Sequence, residues 1–170
     1  MRTAEGAARR REEAKLRQIM FATAFAWLCT PLPASAQADA AAPALDACVA
    51  AAGASRVALE GCKGAVAEPC IETEGGETTA GMYRCYDAEM RAWTSVLDAA
   101  VARAQADDTR APLLLQAQET WRAWRQAECR YQASLYAGGS LERVLAMSCL
   151  ADLTADRAIA LIYAERTEEL

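Results

Sequence analysis

Seven cysteines, no histidine and a small number of carboxylates on apolar helix faces define the chemistry open to this 170-residue chain. Without histidine, neither a Ser-His-Asp nor a Cys-His catalytic system can be assembled, and any zinc site with an imidazole ligand is excluded. A zinc site made of four cysteines lacks its usual signature, because no C-x-x-C pair occurs. Two carboxylates, Glu89 and Glu128, stand on otherwise apolar helical stripes and are the candidates for glycosidase-like acid–base work. The competing expectation is that they meet Arg125 and Arg157 in interhelical ion pairs, since a buried charge without a partner costs several kcal/mol. Trp93, Trp121 and Trp124 form either a ligand-binding aromatic cluster or, as their helical spacing favours, an aromatic core. The segment Glu74-Gly75-Gly76-Glu77-Thr78 has neither a following lysine nor a preceding strand, so it does not read as a phosphate loop. Exposed and acidic, it is the candidate loop for contacting a basic protein partner.

The start of the chain places this chemistry outside the cytosol. Arg2, Arg9, Arg10, Arg11, Lys15 and Arg17 form a basic region, followed by the uncharged run Ile19–Leu28 and the small-x-small triplet Ala34-Ser35-Ala36. This is the pattern of a secretory signal over residues 1–36. The apolar run is about half the roughly 20 residues needed to span a bilayer. Ala26-Trp27-Leu28 before Cys29 is too bulky for a lipidation signal. Residues 1–36 hold six of the 18 basic and three of the 23 acidic residues, so cleavage leaves 12 against 20, net −8. A domain that acidic repels nucleic acid and anionic lipid and attracts basic partners. Cleavage also leaves six cysteines, an even number that in an exported chain implies three disulfides.

The elements that must position these residues are helices. The chain is rich in alanine and poor in β-branched residues, and no segment alternates like a strand. Residues 37–45 read as a flexible leader and 46–170 as the folded domain. From Asp46 the apolar residues recur at helical spacing, with Leu45, Cys48 and Val49 on one face, until Gly53-Ala54-Ser55 interrupts, and a second short helix runs from about Arg56 to Ile71. Glu72–Gly81 is a loop, and Met82–Ala104 carries a long apolar stripe through Cys85, Glu89, Trp93 and Leu97. Thr109 is a candidate cap for the next helix, with Pro112 in its first turn. The inner face of that helix is read as Leu114, Ala117, Trp121, Trp124, Glu128, Tyr131 and Leu135. Gly138-Gly139 stops it, and Ser140 opens a last helix with Leu141, Val144, Leu145, Leu153, Ala158 and Leu161 inward. Cysteines placed symmetrically about each turn face one another in antiparallel hairpins, which predicts the pairs Cys48–Cys62, Cys70–Cys85 and Cys129–Cys149. The fold class expected is all-α, a small disulfide-stapled bundle of antiparallel hairpins.

Four strings of residues also resemble a known family. They are Cys85-x3-Glu89-x3-Trp93-x3-Leu97, Ala117-Gln118-x2-Trp121-x3-Arg125-x3-Cys129, Gly138-Gly139-Ser140, and Cys149-x3-Leu153-Thr154-x2-Arg157-x3-Leu161. In that order they are similar to the LprI-like N-terminal domain family, named for a lysozyme-inhibitor lipoprotein, over roughly Cys62 to Leu161. The resemblance implies an exported bacterial helical domain, lysozyme inhibition, and scaffold roles for Glu89, Trp93, Trp121, Arg125 and Arg157. The chain departs from the family in having Asp98 where asparagine is usual and in lacking the lipidated cysteine. The leading functional expectation is a periplasmic or secreted non-catalytic protein that binds a partner protein, a basic lysozyme, without cofactor, nucleic acid or membrane insertion. Two other classes compete with it: a structural or stress-related cell-envelope module docking through an apolar groove, and an enzyme using Glu89 or Glu128.

Overall fold

The computed structural model describes residues 34–106 and 109–168, and the fold is that of the unit Gln37–Leu170. The expected signal segment lies outside the described residues apart from Ala34–Ala36. Six α-helices follow in order: α1 Ala34–Ala51, α2 Arg56–Glu60, α3 Ala67–Ile71, α4 Thr79–Ala106, α5 Ala111–Ala133 and, after a 3-10 turn at Ser134–Tyr136, α6 Ser140–Glu168. Among the described residues there is no strand, and the all-α expectation holds. No helix among them is long and apolar enough to cross a membrane.

Three local expectations need correction. Helix α1 takes in residues 37–45, where a flexible leader was expected, because the alanine run there has the highest helix propensity available. The single helix expected over Arg56–Ile71 is broken into α2 and α3 by a turn at residues 61–66. Gly64 in that turn has φ +88°, a conformation side chains rarely adopt, and a Cβ there would collide with the Glu68 side chain. The N-cap of α5 is Arg110, not Thr109, and makes no side-chain capping bond; Pro112 does lie in the first turn.

The core forms where α1, α2, α4 and α6 meet. Leu45 and Val49 of α1, Leu59 of α2, Trp93, Leu97 and Val101 of α4, and Ile159 and Ile162 of α6 are buried in one cluster. Ala92, Ala100, Ala155 and Ala158 let α4 and α6 approach closely along their length. Burying each large apolar side chain stabilises the fold by roughly 1.5–3 kcal/mol relative to leaving it in water. Arg166 of α6 donates to the carbonyls of Val49 and Gly53, closing the C-terminal end of α1. Lys63 reaches from the 61–66 turn to Asp156 at 3.0 Å and Asp152 at 3.5 Å on α6. Burial alone lowers the Lys63 pKa, but the two carboxylates outweigh it and hold it above its ordinary value.

All three disulfides join the cysteines that hairpin geometry pairs. Cα–Cα separations are 5.8 Å for Cys48–Cys62, 5.6 Å for Cys70–Cys85 and 5.5 Å for Cys129–Cys149. The first ties α1 to the segment after α2, the second ties α3 to α4, and the third ties α5 to α6. Helix α5 rests mainly on α6 and places only Gln118, Cys129 and Ala133 fully inside. It therefore depends on its disulfide more than the other long helices do. Replacing Cys129 and Cys149 together by alanine is expected to cost about 3 kcal/mol in urea denaturation, while the near-ultraviolet dichroism of buried Trp93 persists at temperatures where α5 has already loosened.

Candidate functional site

The best-defined polar construction in the molecule is built around Glu89. Its carboxylate is buried in α4, yet each oxygen accepts two hydrogen bonds. Oε1 accepts from the Gly64 backbone N–H at 2.9 Å and the Trp93 indole N–H at 2.8 Å. Oε2 accepts from the backbone N–H groups of Val66 and Ala67, both at 2.8 Å. Val66 is the N-cap position of α3 and offers no capping side chain of its own. Glu89 thus caps α3 from another helix, meeting donors that would otherwise be orphaned and placing negative charge at the positive end of the helix. The expectation that Glu89 pairs with an arginine is incorrect: four N–H groups hold the charge. With its lone pairs occupied and water excluded, this carboxylate has no free oxygen for acid–base work.

The capped helix carries the acidic loop. Helix α3 ends at Ile71 and is tied through Cys70–Cys85 to α4, and residues 72–78 bridge the gap. Thr73 Oγ1 donates to the Cys70 carbonyl at 2.6 Å, and the Gly76 N–H donates to the Thr73 carbonyl at 2.8 Å. Thr78 Oγ1 donates to the Gly75 carbonyl at 2.8 Å and accepts from the Gly81 N–H at 3.0 Å. Gly81 opens α4 with its Cα against the Gly75 and Gly76 carbonyls, and a Cβ there would overlap both. The loop is therefore internally bonded and bracketed by a disulfide. Glu72, Glu74 and Glu77 are exposed on it and Glu68 is exposed on α3 beside it, and no lysine or arginine lies between Lys63 and Arg84.

The remaining expected site residues lie elsewhere. Trp93 is fully buried and Trp121 packs against the core, but Trp124, also read as core, is half exposed. Glu128 sits on the surface side of α5 and accepts from the Gln132 amide one turn on at 2.9 Å, without an arginine. Arg125 instead donates to Thr154 Oγ1 and stacks 4.9 Å from the Trp121 ring centroid. Arg157 donates to Gln118 Oε1. Burial lowers the pKa of both guanidinium groups, with Arg122 adding repulsion at Arg125. Gln118 and Thr154 are buried in this α5–α6 seam. Both occur in the residue strings quoted above, where polar types at inward positions are the one signal that could have assigned them a structural role. Among the described residues, no group of three or more His, Cys, Asp or Glu is arranged to hold a metal.

Comparison with known proteins adds one match. The model of the family described as Lysozyme inhibitor LprI matches residues 70–161, more than half of the chain. No curated protein and no solved structure matches it.

Glu89→Gln is expected to destabilise the protein by about 2–4 kcal/mol in chemical denaturation, because an amide nitrogen replaces one acceptor amid four donors. Gly81→Ala is expected to cost a similar amount through the overlap with the loop carbonyls, and faster proteolysis between Cys70 and Cys85 would report that loss locally.

Proposed function

Because the chain belongs to the lysozyme inhibitor LprI family, we propose that it is an exported, non-catalytic protein that binds and inhibits a basic lysozyme-type muramidase through the acidic loop between Cys70 and Cys85. The observation that carries this reading is the exposed set Glu72, Glu74 and Glu77 on a segment held by internal hydrogen bonds and a disulfide. Lysozyme-type enzymes cleave a polysaccharide between two acidic groups in a cleft, and a basic surface around that cleft draws an acidic loop toward it. Opposite charge speeds encounter and orients the partners. A loop already ordered before contact loses little entropy on docking, so more of its interaction energy appears as affinity.

Export fits the same reading. Three disulfides persist in an oxidising compartment, and removal of residues 1–36 would raise the domain's charge to net −8. Lysis of bacterial cell walls by a basic lysozyme, followed by turbidity at low salt, tests the proposal. Excess protein is expected to halt lysis, and Glu74→Lys with Glu77→Lys is expected to weaken inhibition at least about tenfold without changing the helical dichroism. Complete lysis at saturating wild-type protein removes the proposal.

A further inference from the structure

We propose that the outer face of α5 is a self-association surface through which two copies of this chain pair in antiparallel fashion. Part of the stripe read from sequence as the inner face of α5 faces water: Ala117, Trp124, Tyr131 and Leu135 are exposed, while Leu114, Trp121 and Glu128 are half-buried. Leu113 is 67% exposed, Trp124 50%, Tyr131 75% and, in the following 3-10 turn, Leu135 85%. Ala117, Thr120 and Ala127 fill the stripe between them and are exposed as well. The stripe repeats at steps of four and three residues, the pattern of a helix that packs lengthwise on another helix. No charged residue falls on these positions.

The stripe is nearly symmetric about Trp124. Leu113 and Leu135 lie eleven residues before and after it, and Ala117 and Tyr131 seven. An antiparallel copy related by a two-fold axis at Trp124 therefore sets Leu113 against Leu135, and the large Tyr131 ring against the small Ala117. That is the self-complementarity a two-fold interface requires. Shallow helix crossing keeps such contacts in register along α5. Large aromatic side chains present roughly 150–250 Å² each, so Trp124 and Tyr131 alone leave on the order of 250 Å² in water at their fractional exposures. With the two leucines and Tyr136 the patch reaches the upper end of what monomers expose, roughly 300–600 Å². Two such patches joined bury on the order of 1,000–1,200 Å², the low end of specific interfaces.

The symmetry of the stripe and the area it buries select the occupant. Helix α5 carries three arginines (122, 125 and 130) against Glu119 and Glu128, so it lacks the acidic excess of the rest of the molecule. A basic enzyme finds no acidic patch there, whereas a second copy meets the stripe with its own symmetric counterpart. The proposal stands apart from muramidase binding, and its test contains no muramidase.

The test is sedimentation velocity on protein exported from the full 170-residue chain and purified from a bacterial periplasm, over a roughly hundredfold concentration range up to about 200 µM. Wild-type protein is expected to show a concentration-dependent dimer. Trp124→Glu and Tyr131→Glu are each expected to weaken it at least about thirtyfold, the effect of an interface hot spot, with helical dichroism unchanged. Val57→Glu, on exposed α2 and off the stripe, is expected to leave it intact. Should Trp124→Glu misfold, Tyr131→Glu and Leu113→Glu carry the test. A monomer throughout the range overturns the proposal. So does a dimer insensitive to these substitutions, or a different protein that co-purifies with monomeric wild type and is lost with Trp124→Glu.

Discussion

Taking a carboxylate out of water costs several kcal/mol unless its oxygens find donors, and the N-terminal half of this molecule is arranged around meeting that condition at Glu89. Helix α3 has five residues, too few to form alone, since nucleation outweighs so short a run of hydrogen bonds. Val66 supplies no cap. The carboxylate arriving from α4 satisfies the N–H groups of Val66 and Ala67 and fixes the turn through Gly64, while the indole of Trp93, one turn along α4, takes the remaining position on Oε1. One side chain thereby couples the start of α3, the 61–66 turn and the largest core residue. The Cys70–Cys85 bond closes the same unit from the other end of α3, so the loop between these two constraints inherits their rigidity.

The C-terminal hairpin is held on different terms. Helix α6 buries apolar residues against α4 along its length, but α5 meets α6 through a seam of Gln118, Arg125, Thr154 and Arg157. No carboxylate joins that seam among the described residues, and Gln118 Nε2 and Arg125 Nε have no hydrogen-bond partner there. Such a seam stabilises less per unit area than an apolar one, and the disulfide from Cys129 to Cys149 compensates by limiting how far the helix can depart. Because Gln118, Arg125 and their partners take up the inward side of α5, the part of its apolar stripe through Ala117, Trp124 and Tyr131 turns out.

This inversion marks the boundary of what the sequence alone disclosed. Periodicity located the long helices, and symmetry about the turns paired all six cysteines, because both depend on spacing along the chain. Periodicity also found the stripe through Leu113's neighbours Ala117, Trp124 and Tyr131, but it carries no information about which neighbour a stripe meets. Cys129 and Gln118 lie off that stripe, and the disulfide rotates them inward. Glu89 was visible as an inward carboxylate, yet its partners were misjudged: backbone N–H groups 22 to 25 residues away leave no residue-type signal. The break between α2 and α3 belongs to the same misjudgement, since the gap at 61–66 is what exposes those N–H groups to a cap.

Two surfaces of opposite character follow from these two modes of support. The acidic loop is polar, rigid and concentrated in negative charge, suited to fast and oriented encounter with a basic cleft. The face of α5 is apolar, flanked by arginines, and attached by a seam that tolerates it being turned outward. Arg143 of α6 lies 6.0 Å from the ring centroid of Tyr83 in α4, so the starts of α4 and α6 are at one end of the bundle, and the acidic loop and the Ser134–Tyr136 turn lead into that end. A pair formed along α5 places the second copy against that turn and leaves the glutamates of the loop, which carry no apolar contact surface, outside the apolar stripe. The proposed recognition of a basic partner and the proposed pairing of two copies can then coexist because they draw on different physics: the first on long-range charge that salt screens, the second on apolar burial that salt leaves intact.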